Sequence, residues 1–409
     1  MALVNEHCLK LPESSVLADM AKKVNAFRVQ YPDAEVARLD GSGDGEPLCP
    51  AVAEAMRLAV DDLCRRGGSC GGGPVEGAPF LREAVLKGVF APLGIHLDAS
   101  EIFINDGAAG DLAGIQELVR WDNTIAVADP ASPLYAASNV MIGRAGVMDG
   151  GRWSNVVYMS CAPGGGFVPQ PPECRADIVY LCCPANPTGA VFTKEELRRW
   201  VSYALHNDAL IFYDASWADY ITTRGVPRSI YEIKGARRVA VEFRSWATVA
   251  GMAGLRCGCT VVPGDLAAAT LDGRRVALNA LWRRRQDIKN GGTDYISQRA
   301  AEAACACAGR AQVEAAVSRR MDNARLLRDG LAALGLQVSG GSDAPWLWVR
   351  VPGGEGSVRF FERMLYNARV VCTPGVAYGP QGEGYVRLAA CAGRGECAAA
   401  LERMARWMG

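Results

Sequence analysis

The stretch Phe243-Arg-Ser-Trp-Ala-Thr-Val-Ala-Gly-Met-Ala-Gly-Leu-Arg-Cys-Gly258 combines residue types that suit chemistry on an anion. It reads as a strand end, a hydroxyl-bearing turn at Ser245 and Thr248, a run of small residues, and a buried arginine at Arg256. Backbone amides in a glycine-spaced loop, joined by one guanidinium, suit a phosphate ester. Other polar or glycine-rich pieces follow short apolar runs. Asp106-Gly-Ala-Ala-Gly-Asp111 opens a helix, Ala185-Asn-Pro-Thr-Gly189 follows one strand, and Asp214 closes another. Each has an ordinary structural explanation, since Asn-Pro-x-Gly is good turn chemistry and an Asp after a strand can simply cap a helix.

The elements that must position these residues alternate along the middle of the chain. Apolar runs at Ile102, Ile125, Ile178, Ala209, Val239 and Cys259 read as strands, and helices separate several of them. Continuous apolar strands with helical crossovers predict a mostly parallel sheet covered on both faces. Ligands in such sheets sit at the carboxyl ends of strands, where the polar pieces fall. Upstream, apolar spacing predicts one amphipathic helix around Leu17–Phe27, and glycine loops occupy 40–47 and 67–77. Residues 275–305 read as helix, with Trp282-Arg-Arg-Arg-Gln286 as an exposed, solvated turn. Beyond 312, a helix, strands at Trp346–Val351 and Tyr385–Ala390, and a last helix predict a smaller α+β unit. The expected division is an arm at 1–45, a large α/β domain at 46–295 and a small domain at 296–409.

Composition narrows the function classes. The 409 residues hold 44 Lys plus Arg against 44 Asp plus Glu, with three His, which gives no electrostatic case for nucleic acid or an anionic membrane. No apolar run reaches the length of a spanning helix, and Met1–His7 lacks the pattern of a signal peptide. The fifteen cysteines include no Cys-x-x-Cys pair, so reduced buried thiols, no metal site and a cytoplasmic location are expected.

Several pieces together resemble the LL-diaminopimelate aminotransferases, which are fold-type I pyridoxal-phosphate (PLP) enzymes. They are Asn5-Glu6…Leu9-Lys-Leu11, Gly73-Pro-x-Glu-Gly77, Asp106-Gly-Ala108, Ala185-Asn-Pro-Thr-Gly-Ala190, Ala344-Pro-Trp-Leu-Trp-Val349 and Thr373-Pro-Gly…Gly382-Glu-Gly-Tyr-x-Arg-Leu388, in the family's order. The resemblance implies an aspartate-aminotransferase-like fold: a large domain with a mostly parallel seven-stranded sheet, and a smaller α+β domain. It also implies a homodimer with shared active sites, PLP or pyridoxamine phosphate (PMP) as cofactor, and an amino acid as substrate. Matched residue by residue, Asp214 pairs the pyridine nitrogen and keeps the ring an electron sink. Asn186 bonds the ring hydroxyl. Ser245, Arg256 and the amides of Gly107, Ala108 and Ala109 hold the phosphate, and Arg387 clamps the substrate carboxylate, a bidentate task that suits a guanidinium.

The departures are as specific as the matches. Thr248 stands at the position of the family's cofactor lysine, and Ala247 replaces the serine before it. Trp217 replaces a tyrosine that donates to the ring oxygen, and Ser132 an aromatic that stacks on the ring. Gly72 replaces a tyrosine that reaches the partner's phosphate, Ala109 a lysine and Gly291 an asparagine. The expectation is a lysine-less relative that holds PLP, PMP or a preformed amino-acid aldimine noncovalently. A non-catalytic binding or scaffolding protein, and a pocket reshaped for another phosphate-bearing ligand, are the alternatives. Lys289 is weighed as a surrogate amine and read as an exposed helix-end residue.

Overall fold

The computed structural model describes residues 1–41, 47–65 and 73–409. Its centre is a seven-stranded sheet, numbered here β1 (Ile102–Asn105), β2 (Ile125–Asp129), β3 (Val156–Ser160), β4 (Ile178–Cys182), β5 (Leu210–Asp214), β6 (Ala240–Ser245) and β7 (Gly258–Val261). The spatial order is β1-β7-β6-β5-β4-β2-β3. β2 to β6 run parallel, and β7 lies antiparallel between β1 and β6. Successive residues of one strand serve two different cores. Val127, Tyr180 and Phe212 pack into one cluster, while their neighbours Ala126, Val179 and Ile211 pack into the other. That is why the strands read as unbroken apolar runs instead of alternating ones.

Two elements differ from the sequence reading. β3 was not among the named runs; it is an edge strand whose Val157 and Tyr158 are only partly buried, so its pattern is weak. Residues 275–305 are not one helix. Helices Leu278–Lys289 and Tyr295–Cys305 are separated by Gly291 and Gly292, both at positive φ, where side-chain-bearing residues are strained. The basic turn is exposed only at Arg284. Trp282 is fully buried, Arg283 pairs with Glu76, and Arg285 bonds Glu117 at 3.3 Å.

The smaller sheet is antiparallel, in the order Val338–Gly340, Trp346–Arg350, Tyr385–Ala389, Thr373–Pro374. The 27-residue helix Cys307–Ala333 and the C-terminal helix Arg394–Met408 pack with it. Helix Val16–Gln30 joins the same core through Val24 and Phe27. Among the described cysteines, Cys8, Cys64, Cys174 and Cys307 are exposed, so the expectation of buried thiols holds for only part of the set. Among the described residues no helix is long and apolar enough to cross a membrane.

Candidate active site

Strand register brings the predicted residues to one end of the sheet. Gly258 of β7 sits opposite Asn105 on one side and Ser245 on the other, and Phe243 and Cys182 flank Asp214. The first group forms a corner where Gly107 faces Arg256. Gly107 has φ +103°, and a Cβ there would lie 3.1 Å from Arg256 Nη2. The turn is held because Gly107 N donates to Asn105 Oδ1 at 2.9 Å, and Asn105 Nδ2 donates to Asp111 Oδ2 at 2.7 Å. Thr260 Oγ1 donates to the same Asp111 oxygen at 2.6 Å. Burial pushes the Asp111 carboxyl up to about 6, against the lowering effect of those hydrogen bonds and of Arg285. Helix Ala108–Gly114 starts at this corner, with Ala109 exposed at its open end.

Arg256 differs from its expected burial. It is exposed, and its Nε donates to Asp106 O at 3.0 Å, because it leaves the turn two residues before β7 enters the sheet. Its guanidinium therefore lies at the rim beside Gly107. Ser245 is partly buried at the end of β6, and its Oγ accepts from Ala247 N at 3.3 Å.

The second group surrounds Asp214. Tyr135 Oη donates to Asp214 Oδ2 at 2.7 Å, and Ser216 N and Oγ donate to Oδ1 at 3.0 and 2.5 Å. Burial first, and then the Asp214 charge, raise the Tyr135 hydroxyl well above its usual range, so it stays a donor. Thr248 Oγ1 shares its one proton between Ser216 O at 2.8 Å and Ser245 O at 3.1 Å. The Thr248 carbonyl accepts from Tyr220 Oη and from Arg320 Nη1, each at 2.8 Å. Thr248 is thus fixed from both ends between Ser245 and the loop after Asp214.

The third group crosses between the sheets. Arg387 Nη1 donates to Asn186 Oδ1 at 2.9 Å, and Nη2 donates to Asp40 O at 2.8 Å. Its guanidinium lies 5.3 Å from the Tyr378 ring and 5.9 Å from that of Trp346, and its Nε is buried without a partner. A buried N–H left open on a guanidinium is a place for an anionic acceptor. Trp217 packs edge-on against Trp346, with centroids 4.5 Å apart, and leans on Tyr220. Ser132 is N-terminal to helix Pro133–Met141, which begins with proline, and it borders a cavity on the side of the N-terminal arm.

Three predicted positions stand apart or cannot be placed. Lys289 is exposed and pairs with Glu117 at 2.8 Å. Gly291 is exposed, with open space where a Cβ would be. Gly72, with most of the two glycine loops, lies outside the described residues. Sequence reasoning missed Tyr135, Ser216, Asp40, Tyr220, Arg320 and Tyr378. Only Ser216 had a local signal, since an Asp followed two residues later by an N–H donor is the Asx-turn pattern.

The family model for aminotransferase class I and II matches residues 40–404. The chain belongs to this family. As an aminotransferase-family protein it is 52% identical to an LL-diaminopimelate aminotransferase of Bacteroides thetaiotaomicron, over the full length of both chains. It is 49% identical to one from Parabacteroides distasonis, again over both full lengths. The solved L,L-diaminopimelate aminotransferase from Chlamydomonas reinhardtii superposes with a TM-score of 0.94 at 35% identity, covering 100% of this chain and 99% of that one. A Thermus thermophilus aspartate aminotransferase mutant, at 24% identity and TM-score 0.84, shares the fold. Membership in the family implies a PLP or PMP cofactor.

Proposed function

We propose that this aminotransferase-family protein holds PLP or PMP noncovalently, with Thr248 standing where its relatives carry the cofactor lysine. A carboxylate-bearing amino acid or oxo acid binds on Arg387. The observation that supports the reading is that Thr248 is held beside Ser245 and the loop after Asp214, while Asn186 bonds Arg387 and Arg256 lies beside the Gly107 turn. The residues fit the cofactor in part. Gly107 and Arg256 leave room for a phosphate only because position 107 has no side chain. Asp214 retains acceptor capacity beside Tyr135 and Ser216, because an ionised carboxylate offers about four lone-pair sites. The open Nε of Arg387 suits a substrate carboxylate.

PLP, when bound, supplies an electron sink for bonds at an amino acid's α-carbon. The chain's own contributions are positioning and charge. Arg256 and the Gly107 turn would hold the phosphate, Asp214 would pair the ring nitrogen, and Asn186 would offer its amide. Arg387 orients the carboxylate. Thr248 offers no amine for covalent attachment and no base of useful strength. A positioned proton-transfer group is ordinarily worth roughly 10²–10⁴-fold, so ordinary transamination is expected to be slower by that order.

A second reading, a binding or scaffolding protein without turnover, is favoured by one feature. Arg387 and Asp214 are already engaged by groups of the chain itself. Two experiments separate the readings. Absorbance titration of the purified chain with PLP and with PMP is expected to show saturable binding that dialysis reverses. A Thr248→Lys variant is expected to retain PLP covalently after borohydride reduction. Absence of saturable binding in both proteins overturns the cofactor reading, and turnover of any amino acid overturns the scaffolding one.

A further inference from the structure

The cavity beside Ser132 has a volume of about 340 Å³, and none of Asp214, Asn186, Ser245, Arg256 and Arg387 lines it. It is a site apart from the one proposed for cofactor and carboxylate. Its walls are mainly apolar: Leu11 from the arm, Ala136 from helix Pro133–Met141, and the aromatic residues Trp153, Tyr158 and Tyr378. Asp129 is the one charged residue among the described walls, and both its oxygens are taken. Arg152 Nη2 pairs with Oδ2 at 2.9 Å, and Gln381 N donates to Oδ1 at 3.1 Å. A charged molecule would lose its water here without gaining an opposite charge.

Two hydroxyls interrupt the apolar surface. Tyr158 Oη accepts from Trp153 N at 3.2 Å, and among the described residues no acceptor takes its own proton. Burial pushes this hydroxyl above its usual range, so it stays a donor. Ser132 Oγ caps nothing at its helix and has no partner among the described residues. Apolar walls with spare O–H donors suit a neutral molecule that carries an acceptor. A cavity of roughly 150 Å³ already takes a benzene ring, so one ring with a short substituent has room. We infer that this cavity is a second binding site, for a neutral, largely apolar small molecule whose carbonyl or ether oxygen accepts from Ser132 or Tyr158. Binding has a consequence for the arm. Upstream of Leu11 the arm is held by exposed hydrogen bonds, from Asn5 Nδ2 to Met141 O at 2.9 Å and from Lys10 Nζ to Gly146 O at 2.8 Å. A molecule packed on Leu11 ties the arm to helix Pro133–Met141 more firmly than those bonds do alone.

Calorimetric titration of the full chain with acetophenone, ethylbenzene and benzoate tests it, since the three are alike in size and differ in acceptor and charge. Acetophenone is expected to bind saturably, and benzoate at least about tenfold more weakly, for want of a partner for its charge. Ser132→Ala combined with Tyr158→Phe is expected to weaken acetophenone by about threefold to tenfold, one ordinary hydrogen bond, and to leave ethylbenzene within about twofold. Ala136→Phe fills the cavity and is expected to abolish binding of both. Leu11→Trp, from a different segment, is expected to do the same and guards against misfolding of the first variant. Hydrogen exchange of residues 5–15 is expected to slow when acetophenone binds. Absence of saturable acetophenone binding, benzoate binding of equal strength, or full retention of binding in both filled variants overturns the inference. Unchanged exchange in the arm on binding places the molecule elsewhere and overturns it too. An unchanged acetophenone affinity in the double hydroxyl variant overturns the role given to Ser132 and Tyr158.

Discussion

Thr248 and Asp111 show how single side chains set the character of the site. The Thr248 hydroxyl bonds two carbonyls, while Tyr220 and Arg320 hold its own carbonyl independently of the side chain. Thr248→Val is therefore expected to cost about 1 kcal/mol in urea unfolding, the worth of an ordinary hydrogen bond. Thr248→Lys should fold with its backbone in place. Asp111 makes a pH prediction. Its folded value, about 6, is raised above the ordinary 3.8, so the stability it contributes is present below about pH 4 and is lost as pH rises through about 6. Asp111→Asn removes this dependence. Relative to the variant, the natural protein is expected to lose up to about 3 kcal/mol between pH 4 and 7 in denaturant titrations. A parallel pH profile for the two proteins would contradict the assignment.

At the scale of elements, the phosphate corner depends on two close backbone approaches. A Cβ on Gly258 would lie 2.4 Å from Arg244 O and 3.1 Å from the Gly107 Cα, and Gly107 itself has positive φ. Gly107→Ala is expected to destabilise the fold by about 1–3 kcal/mol and to weaken PLP binding. Thermal unfolding and the PLP titration check both parts. Legibility at this scale followed burial. β4 and β5 were plain as apolar runs because both faces are covered. β3 was not, because edge strands need little apolar sequence. The basic turn at Trp282 misled because a run of arginines looks solvated. Its surroundings, Glu76 and Glu117, come from far along the chain.

For the whole molecule, Arg387 is a junction. It stands on the smaller sheet, yet it bonds Asn186 after β4 and the carbonyl of Asp40 near the N-terminal arm. Arg387→Gln is expected to lower the ligand-free stability by about 1.5–3 kcal/mol, the range for hydrogen bonds from a charged group. Unfolding by guanidinium with no ligand present measures it, and an unchanged midpoint would leave Arg387 with a binding role only. The homodimer that the family resemblance implies is a further matter of assembly. Exposed Trp121, Leu271 and Ile288 are available apolar surface, and sedimentation velocity is expected to report twice the mass of the 409-residue chain.

By itself the sequence determined the strand–helix rhythm, the fold class, and the identity of residues at strand ends, because buried strands need apolar runs and turns need Gly, Pro, Asn and Asp. It also determined that position 248 offers a hydroxyl and no amine. Only the tertiary structure decided what those residues touch. Tyr135 on Asp214, Tyr220 and Arg320 on Thr248, and Tyr378 between Arg387 and the Ser132 cavity are contacts between residues far apart in the chain. The same holds for Arg256, which reads as buried from its apolar neighbours and is exposed because the turn before β7 aims it at the rim. Local pattern records whether a side chain is apolar and how the backbone must turn. Which partner completes a polar group depends on where distant segments pack, and that is set by the core as a whole.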